Sequence, residues 1–209
     1  MAELVLEAPG FAPGLHPVGP AAHLARRFAD AEVTGARGVS LREVPFLTMI
    51  GIRVAPGSDA AARIEARSGV SLPDAVGAIG TGDDAVALWQ APDEFLLVSA
   101  RPASDLLPGL VEALGDDPGA VVDMSANRTT LELAGPSARS VLEKGCALDL
   151  HPRAFAAGTA YLTVYGSVPV ILWKVADESY RLLPRSSFAD FLGRRLLDAM
   201  TEFAGPELP

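Results

Sequence analysis

The sequence has 209 residues but only one cysteine and no long apolar run. Cys146 cannot form an internal disulfide, and such scarcity of cysteine is typical of a reducing compartment. The longest strongly apolar stretch, VPVILW, is far shorter than the roughly 18 residues that a membrane helix needs. The first residues, MAELVLEAPG, are acidic and lack the basic start of a signal peptide. We therefore expect a cytoplasmic protein that does not cross a membrane.

Basic residues are also scarce: 17 Lys and Arg stand against 26 Asp and Glu, a net charge of −9. Such a surface repels a phosphate backbone, so a nucleic-acid partner is not expected. Residues 39–119 hold five basic and 12 acidic residues, a net charge of −7, whereas residues 120–209 hold nine and ten. The acidic part either faces water or meets a basic partner, and the sequence leaves both readings open.

Patterns typical of enzymes are missing. The histidines are far apart in the sequence and no cysteine pair accompanies them, which disfavours a metal site. No Gly-rich phosphate loop and no Gly-x-Ser-x-Gly elbow occurs. Paired carboxylates such as Asp83-Asp84 stand in turn contexts, where solvated side chains are the default. The sequence therefore predicts no catalytic residue, no metal ligand and no cofactor bound by this chain.

An internal repeat is the main positive feature. Residues 42–73 and 121–152 each show an alternating run, a turn, an Ala-rich helical run, a glycine and a proline stop. A fixed period indicates the architecture before any motif does. We predict an α+β fold of two tandem β-α-β-β-α repeats, with the helices on one face of each sheet. The predicted parts are a Pro/Gly-rich N-terminal arm at residues 1–38, a first repeat at 39–119 and a second repeat at 120–209.

The first repeat opens with the alternating run LREVPFLTMIGIRV, which predicts one strand over residues 41–54. A helix capped by Ser58 or Asp59 should follow and end at Gly69. Residues 85–90 and 95–99 predict a hairpin, and Ser104 predicts the cap of the next helix.

The second repeat predicts a strand at residues 129–134 and a helix beginning at Pro136. Three strands near residues 160–165, 168–175 and 179–184 should follow. Ser187 predicts the cap of the last helix, whose apolar stripe comprises Phe188, Phe191, Leu192, Leu196, Met200 and Phe203.

The arm contains many Pro and Gly residues and one short helical run, AAHLARRFADA. Such a segment has few ways to bury itself against its own chain. It is either a loose terminus or a segment that becomes ordered on another subunit.

Three residues are candidates for anion binding or for an interface: Arg128, His151 and Arg185. Both arginines carry the planar fork that suits carboxylates, and they can bind an anionic ligand or pair with Asp123 or with an acid of a partner. His151 precedes a proline, and its alternatives are a hydrogen-bonded loop anchor and a binding role. For Cys146 the alternatives are a small buried thiol and a thiol whose pKa Lys144 lowers.

The string VVDMSANRTTLELAGPSARSVLEKGCALDLHPRAF resembles the folate-binding aminomethyltransferase superfamily, and within it the gamma subunits of heterotetrameric sarcosine oxidases. WQAPDEFLLV and RSSFADFLGRRLLDA extend the resemblance over about residues 40–200. The resemblance implies a T-protein-like fold and a non-catalytic, structural subunit whose partners are the alpha, beta and delta subunits.

The resemblance further implies a complex that oxidatively demethylates sarcosine to glycine and passes the one-carbon unit to tetrahydrofolate. Its FAD, FMN and NAD belong to the larger subunits and its zinc to the smallest. The acid-bearing loop of the aminomethyltransferases has no counterpart here, because the loop after Pro152 reads RAFAAGTAYL. The alternative is a free-standing folate-binding or one-carbon-transfer protein.

Overall fold

The computed structural model describes residues 17–205 and has a mixed α+β fold with two five-stranded sheets. These residues form two compact units. The first unit comprises residues 46–128, and the second combines residues 17–45 with residues 129–205. Within residues 17–205, no helix combines the length and apolar character needed to cross a membrane.

The elements are given in chain order. The helices are α1 (Ala25–Asp30), α2 (Asp59–Ser68), α3 (Ala103–Leu114), α4 (Ala138–Glu143) and α5 (Ala189–Ala204). The strands are β1 (Ser40–Val44), β2 (Thr48–Val54), β3 (Ile79–Thr81), β4 (Ala85–Ala91), β5 (Glu94–Ser99), β6 (Gly119–Asp123), β7 (Thr130–Ala134), β8 (Thr159–Tyr165), β9 (Val168–Ala176) and β10 (Ser179–Pro184).

The two sheets have matching strand orders. The first unit has the order β3-β4-β5-β2-β6, and the second has β8-β9-β10-β7-β1. Every pairing is antiparallel. In each unit one face of the sheet packs with helices on an apolar core.

The predicted single strand over residues 41–54 is wrong, because the chain turns at Pro45 and Phe46. Proline cannot donate to a strand ladder, and Phe46 adopts a φ of 63°, which ends an extended run. β1 then pairs with β7 in the second unit, while β2 pairs with β5 and β6 in the first. The units therefore depart from the predicted boundaries at 38/39 and 119/120.

Residues 17–38 are not a loose arm. Leu24 and Phe28 are buried in the core of the second unit, and a Cβ at Gly193 of α5 would lie 2.8 Å and 3.1 Å from their side chains. The backbone N–H of Ala21 also donates to the Glu43 carboxylate at 3.1 Å. This segment thus buries itself against its own chain. Residues 1–16, the rest of the predicted arm, lie outside the described residues.

In the first unit, the predicted hairpin and the helix from Ser58 to Gly69 are confirmed. The Ser58 hydroxyl accepts a hydrogen bond from the Ala61 N–H at 3.2 Å, and Gly69 closes α2 with a φ of 73°, which glycine adopts without strain. The short strand β3 was not predicted. The predicted Ser104 cap is wrong, because α3 begins at Ala103, which puts Ser104 inside the helix and Pro102 at the N-cap position.

In the second unit, the four predicted strands are confirmed, but the start of α5 differs. Ser187 lies in a short 3-10 helix, Phe188 occupies the N-cap position, and no side chain caps the helix. The apolar stripe is narrower than predicted, because Phe188 and Phe191 are 39 % and 50 % exposed. The other four members of the stripe are buried.

Candidate functional site

Arg128 lines a small cleft on the sheet of the first unit. The cleft has a volume of about 280 Å³. Its lining combines apolar groups with two arginines, a glutamine and a glutamate: Gly51, Ile52, Arg53, Gln90, Glu94, Phe95, Leu96, Ala120, Val122, Met124 and Arg128. A Cβ at Gly51 would lie 2.6 Å from the Met124 sulfur, so this position has no room for a larger residue while Met124 stays in place.

Hydrogen bonds fix the chain on both sides of this cleft. After β6, Asp123 Oδ1 accepts from the N–H and the hydroxyl of Ser125, at 2.9 Å and 2.6 Å. The Ser125 hydroxyl oxygen in turn accepts from the Met49 N–H at 3.0 Å. Arg53 Nε donates to Asp93 at 2.9 Å, and this hydrogen bond raises the pKa of Arg53. The cleft is therefore a formed feature of the folded unit.

His151 anchors the loop that follows α4 in the second unit. Its N–H donates to Asp149 Oδ1 at 2.9 Å, and its ring Nδ1 accepts from the Arg153 N–H at 3.1 Å. The ring therefore holds the local backbone in place. The residue is exposed, so its other ring nitrogen can meet solvent or a partner.

The same loop is tied to the core by a buried lysine that the sequence did not single out. Lys174 Nζ donates to the Phe155 carbonyl at 3.2 Å and lies 5.8 Å from the centre of the Tyr180 ring. Phe155 is buried, and its ring lies 5.6 Å from the Tyr161 ring. In the sequence, the only indication that this lysine is buried is its position inside the apolar run VPVILWKVA.

The loop after His151 carries a buried phenyl ring. Residues 152–158 read PRAFAAG and supply no carboxylate, and the Phe155 side chain fills the core rather than a ligand space. An apolar side chain therefore holds this loop to the core of the second unit.

Arg185 lies directly before the 3-10 helix Ser186–Phe188. Its carbonyl accepts from the Phe188 N–H at 2.8 Å, and its side chain is exposed. Within residues 17–205 its guanidinium has no carboxylate partner. Of the three candidates, Arg128 thus belongs to the first unit, whereas His151 and Arg185 belong to the second.

Lys144, at the C-terminal end of α4, contacts α5. Its Nζ lies 2.7 Å from Glu202, donates to the Ala199 carbonyl and lies 4.7 Å from the centre of the Phe203 ring. The hydrogen bond from Lys144 lowers the pKa of Glu202. Cys146 is half-buried and packs against the core of the second unit, so the predicted small buried thiol is confirmed in part. The described residues contain no group of three or more side chains arranged to hold a metal ion.

A row of charged side chains crosses the sheet of the second unit and was also missed. Arg42, Glu132 and Arg181 are direct neighbours on β1, β7 and β10. Glu132 accepts from Arg42 Nε at 2.7 Å and from Arg181 Nε at 2.9 Å. The Arg181 guanidinium also lies 5.4 Å from the centre of the Trp173 ring on β9. These groups join four adjacent strands.

Comparisons with known proteins agree on one family. Residues 54–202 match the model of the sarcosine oxidase gamma subunit family. The chain is 48 % identical over 190 residues to the sarcosine oxidase subunit gamma of Corynebacterium sp. (strain U-96), covering 90 % of this chain and 92 % of that protein. It is 46 % identical over 188 residues to the sarcosine oxidase subunit gamma of an Arthrobacter species, covering 90 % of this chain and 91 % of that protein.

Solved structures give the same answer. A chain of the heterotetrameric sarcosine oxidase from Corynebacterium sp. U-96, in complex with pyrrole 2-carboxylate, superposes with a TM-score of 0.89 and 46 % identity. The match covers 92 % of this chain and 99 % of that one. The glycine cleavage system aminomethyltransferase T of Bartonella henselae gives a TM-score of 0.56 at 13 % identity, covering 83 % and 48 %, which shows a shared fold. The chain therefore belongs to the sarcosine oxidase gamma subunit family.

Proposed function

We propose that this chain is the gamma-type subunit of a heterotetrameric sarcosine oxidase and that its role is structural rather than catalytic. The superposition on a chain of such an assembly, which covers 92 % of this chain and 99 % of that one, carries the proposal. Its partners would be the alpha, beta and delta subunits. The complex would demethylate sarcosine to glycine in the cytoplasm and transfer the one-carbon unit to tetrahydrofolate. FAD, FMN, NAD, tetrahydrofolate and zinc would be held by the other subunits.

The fold of this subunit would descend from a tandem duplication. In support, the strands of the first sheet correspond one by one to those of the second: β3 to β8, β4 to β9, β5 to β10, β2 to β7 and β6 to β1. One helix also lies between corresponding strands, α2 between β2 and β3 and α4 between β7 and β8, and another follows each hairpin, as α3 and α5. A duplicated scaffold offers a partner two related surfaces.

The polar side chains support a structural role. Lys174 ties down a loop, Arg181 and Glu132 join strands, and Lys144 joins two helices. Each of these groups acts within the folded chain. The Arg128 cleft, at about 280 Å³, is smaller than the roughly 300–1,000 Å³ of ordinary ligand pockets and suits an inserted side chain better than a folate.

The test is co-expression of the full chain with the alpha, beta and delta subunits of the same organism, with an affinity tag on the beta subunit. We expect native mass spectrometry to find one copy of this chain per complex, and the complex to oxidise sarcosine. The chain purified alone should not turn over sarcosine. Failure to enter the complex, or turnover by the chain alone, would contradict the proposal.

The alternative, a free-standing folate-binding or one-carbon-transfer protein, is favoured only by the fold shared with aminomethyltransferase T. Calorimetric titration of the isolated chain with tetrahydrofolate separates the two. Micromolar binding would support the alternative, and an absence of heat at high micromolar concentration would support the structural role.

Arg128, His151 and Arg185 are proposed to act at interfaces. Single alanine substitutions should weaken assembly and leave the turnover of each assembled complex unchanged.

For residues 1–16 we retain the prediction that they form an arm that contacts another subunit. The deletion that tests it must stop at residue 16, because a longer one removes Leu24 and Phe28 from the core. A chain lacking residues 1–16 that assembles normally would refute the arm.

A further inference from the structure

Two phenyl rings at the start of α5 are exposed where the sequence predicted burial. Phe188 is 39 % exposed and Phe191 is 50 % exposed, whereas their neighbours Ala189 and Leu192 are fully buried. Single exposed apolar residues are common and need no explanation. Two exposed phenyl rings three residues apart on one helical turn are different, because neighbouring exposed apolar groups mark interaction sites.

The phenyl rings belong to a longer ridge. Arg185, Phe188, Phe191 and Arg195 follow one another at spacings of three, three and four residues. Residues three or four apart are neighbours on a helix surface, and the 3-10 helix before α5 aligns residues three apart. Arg185 is the extended N-cap residue of this 3-10 helix, and its carbonyl accepts from the Phe188 N–H, so Arg185 lies one turn before Phe188. We call Arg185, Phe188, Phe191 and Arg195 the α5 ridge.

The charges of the ridge point outward to solvent. Arg185 is exposed and has no carboxylate partner within residues 17–205. Arg195 has only a long contact of 3.7 Å with Asp198, and both side chains are more than half exposed. The nearby carboxylate of Asp190 is already engaged, since it accepts from Arg194 Nε at 2.9 Å and lies 2.6 Å from His23 Nε2. The ridge therefore presents an aromatic centre with a cation at each end.

This composition identifies the kind of surface that fits it. Phenyl and guanidinium groups are enriched at protein interfaces and dominate their binding energy when they enter well-packed pockets. The complementary surface is an apolar recess with carboxylates at its rim. A stable interface buries about 1,600 Å² in total, far more than two half-exposed rings supply, so the ridge forms the centre of a larger contact.

We infer that the α5 ridge docks into an apolar, acid-rimmed recess on one of the larger subunits of the same complex. The inference rests on the proposed function. The chain superposes on one chain of a heterotetrameric assembly, so other subunits are available to cover the ridge, and its two arginines suit a surface that carries carboxylates. The partner's phenyl-binding recess supplies affinity, and its carboxylates fix the register.

The test is a competition during assembly. Unaltered chain and variant chain, distinguished by mass, are co-expressed with the alpha, beta and delta subunits, and the complex is isolated through a tagged beta subunit. The ratio of the two chains in the complex is divided by their ratio in the soluble lysate, which removes any difference in folding. Phe188→Ala combined with Phe191→Ala should lower the incorporation ratio at least about tenfold. Val76→Ala, which shortens an exposed apolar residue of the first unit, should leave it near one.

Reversing the charge of Arg185 tests for carboxylates at the rim of the partner's recess. Arg185→Glu should lower incorporation more than Arg185→Ala, and added salt should narrow this difference because it screens the carboxylates. A benzophenone amino acid placed at position 191 should cross-link to the alpha or beta subunit. Cross-links between copies of this chain, or dimers of the isolated chain that Phe191→Ala dissociates, would overturn the inference in favour of self-association.

The outcomes separate the inference from the proposed function. If the unaltered chain enters the complex and the double phenylalanine variant competes equally, the α5 ridge is not an interface and the proposed function stands. If the unaltered chain does not enter the complex, both are overturned.

Discussion

Arg181 and Glu132 form a nearly solvent-free ion pair in the middle of a β-sheet. The Arg181 Nη2 atom lies 2.9 Å from Glu132 Oε2, and the two side chains are only 2 % and 13 % exposed. The two residues are direct partners on β10 and β7. Removing one member of such a pair leaves a buried charge without its counter-ion, which costs far more than the intact pair contributes.

We therefore expect Glu132→Gln to lower the free energy of unfolding by about 3 kcal/mol or more, because Arg181 keeps its buried charge. Arg26→Gln is the matched control. It removes an exposed i,i+4 pair with Asp30, whose side chains are 93 % and 70 % exposed, and should cost no more than about 0.5 kcal/mol. Urea denaturation of the purified chain, followed by circular dichroism, measures both. Equal midpoints for the two variants would show that the pair is not held in the interior.

Adjacent residues of α5 should respond in opposite ways to truncation. Leu192 is fully buried in the core of the second unit, so Leu192→Ala should destabilise the chain by about 2–5 kcal/mol. Phe191 is half exposed, and Phe191→Ala should change stability by about 0.5 kcal/mol or less. Thermal unfolding of the two variants against the unaltered chain compares them directly. A large loss of stability in Phe191→Ala would show that this ring is buried in the core, as the sequence pattern predicts.

The phenol of Tyr165 should ionise at a higher pH than that of an exposed tyrosine. Burial raises the pKa of Tyr165 to about 12, with an opposing effect of Arg195. Its phenol ionises near pH 10 in an unfolded chain, so between about pH 10 and 12 the unfolded state has lost a proton that the folded state retains. This contribution to stability is complete below about pH 10 and is lost as the pH rises through about 12.

Tyr165→Phe tests this sign. At about pH 8 the variant should be less stable by about 1 kcal/mol, because it lacks the hydrogen bond from the Tyr165 hydroxyl to the Val141 carbonyl. The difference should shrink as the pH rises above about 10, where the unaltered chain loses the contribution of Tyr165 and the variant has no such contribution to lose. Denaturant titrations across this range measure it. A constant difference at every pH would contradict the burial of the phenol.

Much of the local structure was predictable because local chemistry determines it. Ser58 and Gly69 delimit α2 through a cap and a left-handed residue, and both act within a few positions of the chain. The hairpin of β4 and β5 follows from two apolar runs around Asp93. These features need no knowledge of distant partners.

The incorrect predictions concern features that are determined by contacts between residues far apart in the sequence. The run of residues 41–54 alternates without interruption, and only pairing shows that its halves join different sheets, β1 with β7 and β2 with β5. Similarly, periodicity places Phe191 beside Leu192 on one broad stripe, and only the packing of α5 shows which of the two is covered. Lys174 looks like an ordinary strand residue until the Phe155 carbonyl is placed beside it. The candidate residues Arg128, His151 and Arg185 stay a prediction, because an interface role carries no local signature comparable to a cap or a turn.

The turn between β1 and β2 should depend on the residue at position 46. Phe46 has a φ of 63°, a region that bulky L residues avoid and that asparagine tolerates several-fold better. Phe46→Asn and Phe46→Ile both remove the ring, so the difference between them isolates the backbone. We expect Phe46→Ile to be the less stable of the two by about 1 kcal/mol, because its branched Cβ crowds the left-handed conformation. Urea denaturation compares the two variants at equal protein concentration.

This turn connects β1 in the sheet of one unit to β2 in the sheet of the other. A variant that cannot adopt the turn should therefore lose both β1–β7 and β2–β5 pairing at a lower urea concentration. Equal stability of the asparagine and isoleucine variants would show that the turn tolerates an extended residue, and that the continuous strand predicted over residues 41–54 is accessible to the chain.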